Sequence, residues 1–280
     1  MAQTIRAFQI YYDAATRARL DPDFEALDNT ANERPDWFEY WPIRKYLAAH
    51  SQDDTCYYGF LSPNFHAKTL LTGRQVRAFV GRAGAADVVT FSPLPCHAAC
   101  FLNVFEQAEF TQPGFMRVMA AYLRETESAV ALETMVNHCG DTVFSNFFLA
   151  RPSFWRRWSA AAERLFGMAE NSSSPLHALL NQETPYVKDD GVARPAQQKV
   201  FVMERIVTLL LATSRDLAVV NYPPFELPLA PYFAALRTEV MRLDALKLAY
   251  AKSGDAALLR EYRALQEKTI AAAQRNLGQA

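Results

Sequence analysis

The chain has 280 residues, of which 50% are hydrophobic and 12% aromatic, so it can bury a large core and disorder is disfavoured. Its 29 basic and 30 acidic residues leave a net charge of -1, which supplies no broad attraction to nucleic acid or to an anionic membrane. No apolar run reaches the ~18 residues that a transmembrane helix needs, and the N-terminal MAQTIRAFQIYYD lacks the apolar core of a secretory signal. We therefore expect a cytoplasmic protein whose four cysteines are free thiols.

Strands alternate with helices in the first half of the chain, which is typical of an α/β sheet with mostly parallel strands. Runs rich in β-branched and aromatic residues predict strands over residues 5–12, 55–61 and 86–91. Amphipathic patterns predict helices over residues 14–20, 36–49, 74–82, 97–109 and 115–126, and residues 25–32 are predicted to be extended. In such a sheet, ligands bind at the carboxyl ends of the strands.

The stretch 142–158, TVFSNFFLARPSFWRRW, passes from a β-branched and aromatic run through polar residues into a helix. We place Ser145 and Asn146 on a strand or at its exit. Ser153 is a favourable N-cap, so a helix is predicted over residues 154–166. This junction is expected to hold part of a polar site on a buried scaffold.

Four further elements follow: a short helix over 176–180, a polar loop over 183–195, a helix over 200–212 and a strand over 217–222. The helix over 200–212, VFVMERIVTLLLA, carries Glu204 and Arg205 at the start of its apolar run. We expect these two charges to complete the polar site.

From residue 231 the pattern changes to two Ala- and Leu-rich amphipathic helices, over 232–252 and 255–277. Gly254 is a natural C-terminal cap of the first helix, and Asp255 is a natural N-cap of the second. The chain is therefore divided into an α/β domain, residues 1–229, and a C-terminal α-helical hairpin, residues 230–280. The apolar stripe of the hairpin is predicted to pack on the α/β domain, and dimerisation is the alternative.

Three common motifs are absent from the sequence: the G-x-x-x-x-G-K-S/T phosphate loop, the G-x-G-x-x-G dinucleotide motif and the G-x-S-x-G nucleophile elbow. Their absence disfavours P-loop NTPases, ordinary dinucleotide oxidoreductases and α/β-hydrolases.

The pairs Cys96-His97 and His138-Cys139, with Cys100, could supply zinc ligands, since a short gap between cysteines is within ligand range. Their neighbours are Ala, Phe and Val residues, and buried free cysteine behaves as a small hydrophobe. We therefore favour core thiols over a metal site.

Two carboxylates, Glu106 and Glu109, lie three residues apart on one face of a predicted helix. Glu106, which neighbours Phe105 and is close in sequence to Phe101, is the better candidate for a catalytic carboxylate, whereas a solvated face is the alternative for both. Asp87 begins a predicted strand and could belong to a site or cap the preceding turn.

Tyr11, Tyr12 and Asp13 end the first predicted strand and, with Asn29 from the following loop, could sandwich and hydrogen-bond a base or a ribose. Ordinary core tyrosines are an equal alternative.

Three cations, Lys68, Arg44 and Arg205, lie next to apolar elements that could hold them in a cleft, where they would neutralise a diphosphate. Each one is also consistent with a surface charge.

The segment FSNFFLARPSFWRRW, followed ~45 residues later by VFVMERIVTLLLA, resembles the C-terminal half of small bacterial GT-A-type glycosyltransferase-like proteins of surface-polysaccharide biosynthesis. Those proteins often have an Asn-aromatic segment that leads into a K/R-P-x-F/W helix and then an E-R-hydrophobic helix. The segment IRAFQIYYD is also similar to their first nucleotide-binding strand. The resemblance covers the first ~225 residues and implies a Rossmann-like (GT-A-like) fold, a mixed, mostly parallel sheet flanked by helices.

The resemblance also implies an activity: transfer of a sugar from a nucleotide-sugar donor to a hydroxyl of a saccharide or lipid-linked acceptor. The base of the donor would stack near Tyr11 and Tyr12, and its diphosphate would meet Lys68 or Arg205.

Under the same resemblance, the first candidate for the base that takes the acceptor's proton is Glu204, and the second is Glu106. Asn146 and Arg151 would position the sugar or the acceptor, facing a cleft shared with Glu204.

The chain departs from the GT-A pattern at the metal-binding motif. Most GT-A enzymes hold a divalent metal (Mn or Mg) with Asp-x-Asp after a central strand. The only literal match here is Asp21-Pro22-Asp23, in an early turn. Either cations such as Lys68 and Arg205 replace the metal, or the chain is not an active transferase. The alternative function is a non-catalytic, transferase-like interaction protein that assembles through its C-terminal helices, as a homo-oligomer or with a partner.

Overall fold

A computed structural model describes residues 4–187 and 193–278 of the chain. The strands in these ranges are β1 (Thr4–Tyr11), β2 (Glu25–Asp28), β3 (Cys56–Leu61), β4 (Val88–Thr90), β5 (Phe148–Ala150), β6 (Glu183–Val187), β7 (Ala193–Gln197) and β8 (Val219–Asn221). The α-helices are α1 (Ala14–Arg17), α2 (Tyr40–Ala49), α3 (Phe65–Thr69), α4 (Gly73–Val80), α5 (Pro95–Cys100), α6 (Val104–Thr111), α7 (Phe115–Glu125), α8 (Pro152–Glu170), α9 (His177–Leu180), α10 (Gln198–Thr213), α11 (Arg237–Ser253) and α12 (Ala256–Leu277). Short 3-10 helices cover Pro35–Trp37, Pro224–Glu226 and Pro231–Leu236.

The strands form a six-stranded mixed sheet of order β2-β1-β3-β5-β4-β8. Strand β1 pairs in parallel with β2 and β3, and β4 pairs in parallel with β8. Strand β5 is antiparallel to both of its neighbours, β3 and β4. The sheet is thus mostly parallel and is flanked by helices, which confirms the α/β class predicted from the alternation of elements.

The two faces of the sheet carry two apolar clusters because successive strand residues point to opposite sides. Phe8 and Phe60 belong to the larger cluster, which includes residues of α2, α5 to α8 and α10 to α12. Ala7 and Leu61 belong to the smaller one, which includes residues of α3 and α4. The central strands are buried on both faces, as expected for a sheet covered by helices.

The predicted caps of the C-terminal helices are confirmed, since Gly254 ends α11 in the left-handed conformation and Asp255 caps α12 by accepting a hydrogen bond from the Ala257 N–H. Thr72 and Gln75 make a capping box at the start of α4. The hairpin of α11 and α12 packs on α5, and Leu243 and Tyr262 of its apolar stripe are fully buried. The predicted packing of the stripe on the α/β domain is therefore confirmed.

Two predicted elements are wrong. The single helix over 97–109 is divided into α5 and α6, because the Asn103 side chain accepts hydrogen bonds from the N–H groups of Phe105 and Glu106 and so starts a new helix. The predicted polar loop over 183–195, of which residues 188–192 lie outside the described ranges, contains β6 and the start of β7, which pair antiparallel.

The junction at 142–158 also differs from the expectation. The strand β5 begins only at Phe148, so Ser145 and Asn146 precede it, and both have left-handed backbone angles, with φ of 58° and 53°. Helix α8 begins at Pro152 with Arg151 as its N-cap residue, not at Ser153, because proline at the first helical position has no N–H to leave unpaired.

No helix in the part of the chain that the structure describes is both long and apolar enough to cross a membrane.

The contact between β3 and β5 leaves no room for a side chain at Gly59. A Cβ atom added there would lie 2.5 Å from Cγ of Leu149. We expect Gly59→Ala to lower the free energy of unfolding by about 1–3 kcal/mol, because the core is overpacked. Urea denaturation measures this change.

Gly167→Ala is the matched control, since a Cβ atom added to this residue of α8 meets no heavy atom within 4 Å. It should raise the free energy of unfolding by up to about 1 kcal/mol through helix propensity. A neutral Gly59→Ala variant would contradict the close approach of β3 and β5.

Candidate functional site

The candidate site lies at the carboxyl edge of the sheet, beyond the ends of β1 and β3. The chain leaves β1 to form β2 on one side and returns to form β3 on the other, so the topological switch point lies between β1 and β3. Two adjoining cavities open here, of about 400 Å³ and 390 Å³. We call them the inner and the outer cavity, and together the cleft; both are lined by Phe38, Glu39, Asn64 and Tyr186.

The outer cavity is built from the loops that follow β1, β2 and β3. It is lined by Tyr12, Asn29 and Pro63, among others. Asn29 is held next to the end of β1 because its N–H donates to the carbonyl oxygen of Tyr11, at 2.8 Å. Tyr12 and Asn29 therefore line the same cavity.

Tyr11 and Asp13 are used differently. The Tyr11 side chain is buried, and a hydrogen bond to the Asp28 carboxylate raises the pKa of its phenol. Asp13 caps α1, and the hydrogen bond from the Thr16 N–H lowers the pKa of its carboxyl. Neither residue lines the outer cavity.

A polar chain of contacts crosses the inner cavity through Ser145. Lys68 Nζ donates to Ser145 Oγ at 3.2 Å, and the Ser145 N–H donates to Oε1 of Glu204 at 2.6 Å. The left-handed backbone of Ser145 and Asn146 turns these groups into the cavity, which Asn146 also lines. Within the described residues, Oδ1 of Asn146 is buried and has no hydrogen-bond partner.

The reversed direction of β5 explains this placement. Because β5 is antiparallel, the residues before it lie at the same edge as the residues that follow the parallel strands. Arg151 comes after β5 and therefore lies at the opposite edge, where its backbone N–H donates to the carbonyl oxygen of Asp87. Its guanidinium donates to the carbonyl oxygen of Thr55 and stacks on Tyr57. The expectation that Arg151 faces the cleft with Glu204 is wrong.

Glu204 and Arg205 are both wall residues of the inner cavity and form an ion pair in which the guanidinium is buried and the carboxylate is partly exposed. Nη1 of Arg205 lies 3.1 Å from Oε2 of Glu204, and Nη2 donates to Oε1 of Gln107 at 3.0 Å. Arg205 is only 3% exposed and packs over the ring of Phe115, at 5.2 Å. Burial lowers the pKa of Arg205, and the Glu204 carboxylate opposes this effect. The carboxylate therefore balances a charge that is largely withdrawn from water.

One wall of the inner cavity comes from α5, α6 and the residue after α6, and we call it the far end of the cavity. It is lined by His97, Gln107, Thr111 and Gln112, which are polar and carry no net charge. His97 Nε2 lies 2.8 Å from the hydroxyl oxygen of Tyr232, and burial lowers the pKa of the imidazole to about 4, so it is neutral at pH 7. The C-terminal segment thus supports the wall of the cleft.

The ridge between the two cavities is the loop around Phe38, whose φ of 48° is left-handed. Lys199, which is buried, holds this loop: Nζ donates to Oδ2 of Asp36 at 2.7 Å and lies over the Trp37 ring at 4.7 Å. Burial alone would raise the pKa of Asp36, but hydrogen bonds from Arg34 and Lys199 lower it to about 2.

Three further predicted site residues lie outside the cleft. Arg44 pairs with Glu163 on the surface between α2 and α8. Asp87 accepts a hydrogen bond from the Ala218 N–H at the opposite edge of the sheet. Glu106 pairs with Arg263 of α12 at 2.9 Å and lines a separate surface cavity. The structure therefore does not place Glu106 with Glu204.

The cysteines are free and buried, in agreement with the prediction of core thiols. Within the described residues, no three His, Cys, Asp or Glu side chains are grouped so that they could hold a metal ion. Asp21 of the Asp21-Pro22-Asp23 turn accepts hydrogen bonds from the N–H groups of Asp23 and Gly73, so it is used in that turn. The residues present do not fit the divalent metal that the GT-A resemblance implies.

Sequence reasoning missed Phe38, Glu39, Tyr186 and Gln107 as wall residues of the cleft. Tyr186 fell in a segment predicted to be a loop, and no local pattern indicates the left-handed Phe38. Gln107 is one residue from Glu106, and only the turn of α6 decides which of them faces the cleft.

Comparison of the chain with protein-family models, with curated proteins and with solved structures finds no match. The function is therefore argued from the cleft itself.

Removal of the buried cation should destabilise the fold. We expect Arg205→Met to lower the free energy of unfolding by about 1–3 kcal/mol, because Oε2 of Glu204 and Oε1 of Gln107 lose the hydrogen bonds that the guanidinium donates. Arg242→Met is the control: its pair with Glu261 is exposed, so the change should stay within about 1 kcal/mol. Chemical denaturation of both variants measures the difference, and equal losses would contradict the importance of the buried pair.

The neutral His97 should make stability depend on pH. Its pKa of about 4 in the folded state lies below the ordinary 6.5, so the unfolded state binds more protons between these values. The free energy of unfolding should therefore fall as the pH is lowered through this window, by at most about 3 kcal/mol. Urea denaturation at several pH values should show this loss in the wild type and a smaller one in His97→Gln. Identical pH profiles would contradict it.

Proposed function

We propose that the chain is a glycosyltransferase that moves a sugar from a nucleoside-diphosphate donor to an acceptor hydroxyl, in bacterial surface-polysaccharide synthesis. One observation carries the proposal: a carboxylate and an ammonium group, Glu204 and Lys68, are held on the same residue, Ser145, in a cleft at the carboxyl edge of the sheet. A sugar transfer needs a carboxylate for the acceptor hydroxyl and a cation for the leaving diphosphate.

The size and position of the cleft support a nucleotide sugar. Each cavity is of the size that a small-molecule site requires, and the two adjoin, so an elongated ligand can occupy both. The switch point of an open α/β sheet is where nucleotides commonly bind. A mixed, mostly parallel sheet flanked by helices is also the fold that the GT-A resemblance implies, and we extend the proposal to a GT-A-like fold on this basis.

The base and ribose of the donor would occupy the outer cavity, where Tyr12 offers an aromatic ring and Asn29 offers an amide. The diphosphate would then lie at Lys68, which follows Asn64 by one helical turn, and Asn64 lines both cavities. Arg205 is not the diphosphate ligand in this arrangement, because its charge is already paired with Glu204.

In an inverting transfer, the acceptor oxygen forms a bond to the anomeric carbon as the bond from that carbon to the diphosphate oxygen breaks. The acceptor's proton passes to Glu204, and the ammonium of Lys68 stabilises the negative charge on the leaving diphosphate. Among the residues that the structure describes, each Glu204 oxygen accepts one hydrogen bond, so each has a lone pair for the acceptor hydroxyl. The residues present do not fit a metal, and no step is assigned to one.

A melting-temperature screen tests whether nucleotide sugars bind. We expect one of the UDP-, GDP-, CMP- or dTDP-sugars, tested with and without manganese, to raise the melting temperature, because a ligand that binds only the folded state stabilises it. Lys68→Met should reduce the increase. If no nucleotide sugar raises the melting temperature, the proposal is contradicted.

Turnover is tested with Glu204→Gln, which removes the base and keeps the shape of the side chain. Release of the nucleoside diphosphate should fall by about 10²-fold or more, while donor binding is largely retained. Glu106→Gln is the matched control and should keep wild-type turnover, because Glu106 lies outside the cleft and pairs with Arg263. Equal losses in both variants would count against Glu204 as the base.

A further inference from the structure

The far end of the inner cavity places polar side chains against the apolar core. Gln107 and Gln112 are nearly buried, yet both line the cavity with Thr111 and His97. Buried polar side chains are costly unless they are hydrogen-bonded. Here they bond to one another: Thr111 Oγ1 donates to Oε1 of Gln112 at 2.7 Å, and Nε2 of Gln107 lies 3.4 Å from Thr111 Oγ1. The wall thus presents pre-arranged amide and hydroxyl groups.

The charges at this end cancel. The guanidinium of Arg205 pairs with the carboxylate of Glu204, and His97 is neutral at pH 7. A ligand carboxylate placed here would lie close to Glu204 and would find the charge of Arg205 already balanced. An uncharged ligand meets no such repulsion.

One atom of this wall lacks a partner. Nε of Arg205 is buried and has no hydrogen-bond partner among the residues that the structure describes, although both Nη atoms are bonded. A buried N–H of this kind is costly. Because Nε is also withdrawn from the cavity surface, the polar groups that this wall offers to a ligand are those of Gln107, Thr111 and Gln112.

A continuous series of contacts places this end beyond the proposed diphosphate position. The series runs from Lys68 to Ser145, from Ser145 to Glu204, from Glu204 to Arg205 and from Arg205 to Gln107. A donor whose diphosphate lies at Lys68 and whose base lies in the outer cavity therefore extends its glycosyl group toward Gln107.

We propose that the far end of the inner cavity, lined by His97, Gln107, Thr111, Gln112 and Arg205, is a subsite for an uncharged, hydroxyl-bearing glycosyl group, and that it rejects uronic acids. This inference rests on the proposed function, since it names the substrate class of the same cleft. Gln112 and Thr111 determine the selection through hydrogen bonds to hydroxyls, and Glu204 determines it through repulsion of a carboxylate.

Calorimetry with UDP, UDP-glucose and UDP-glucuronate tests the subsite. UDP-glucose should bind about tenfold more tightly than UDP-glucuronate. The reason is that the carboxylate of the glucuronate would lie close to Glu204 and would find no unpaired cation. In Glu204→Gln the preference should shrink, because the charge of Arg205 becomes available to the glucuronate. Equal or tighter binding of UDP-glucuronate by the wild type would overturn the inference while leaving the proposed function standing.

Saturation-transfer NMR with methyl glucoside and methyl glucuronoside tests the same end without a nucleotide. The glucoside should give a signal, the glucuronoside should give a weaker one, and Gln112→Leu should reduce the glucoside signal severalfold. Gln274→Leu, an exposed change on α12, is the control and should keep the signal. Thr111→Val is a second variant in case Gln112→Leu fails to fold, and a wild-type melting temperature shows that each variant is folded.

The two experiments separate the two proposals. Glucoside binding that depends on Gln112, without binding of any nucleotide, would support the subsite and contradict the transferase. Binding of a nucleotide with no contribution from its sugar would contradict the subsite and leave the proposed transferase standing. Failure of both the nucleotide sugars and the glucoside to bind would overturn both proposals.

Discussion

The antiparallel pairing of β5 with β3 and β4 is the constraint on which the cleft depends. It brings Ser145 and Asn146, which precede β5, to the edge where β1 and β3 end, and sends Arg151 to the other edge. The close approach of Gly59 to Leu149 shows how tightly this pairing is made. Were β5 parallel, Arg151 would reach the cleft and Ser145 would leave it.

The cleft is also tied to the stability of the fold through one buried charge. Arg205 is withdrawn from water, and the carboxylate that balances it belongs to the proposed base, Glu204. An ion pair with a buried partner is seldom more stable than an apolar replacement, so its presence agrees with a role for the carboxylate in the cleft. The pair between Glu204 and Arg205 therefore both stabilises the fold and orients the carboxylate.

Two buried lysines hold the segments that surround the cleft. Lys199 holds the loop that separates the two cavities, and Lys247 of α11 donates to the carbonyl oxygens of Ala98 and Phe101 at the end of α5. Carbonyl oxygens at a helix C-terminus carry partial negative charge, so a cation is favourable there. Lys247 thus attaches the C-terminal hairpin to the helix that supplies His97 to the cleft.

Local sequence patterns are enough to predict the α/β class, most of the strands and helices, and the caps at Gly254 and Asp255, because these features depend on residues only a few positions apart. It also indicated that Glu204 and Lys68 belong near a polar site. Tertiary structure alone decided which edge of the sheet each polar residue reaches, because strand direction follows from pairing between segments ~60 to 90 residues apart. For that reason Asn146 lies with Glu204 and Arg151 does not, whereas the turn of helix α6 directs Glu106 away from the cleft.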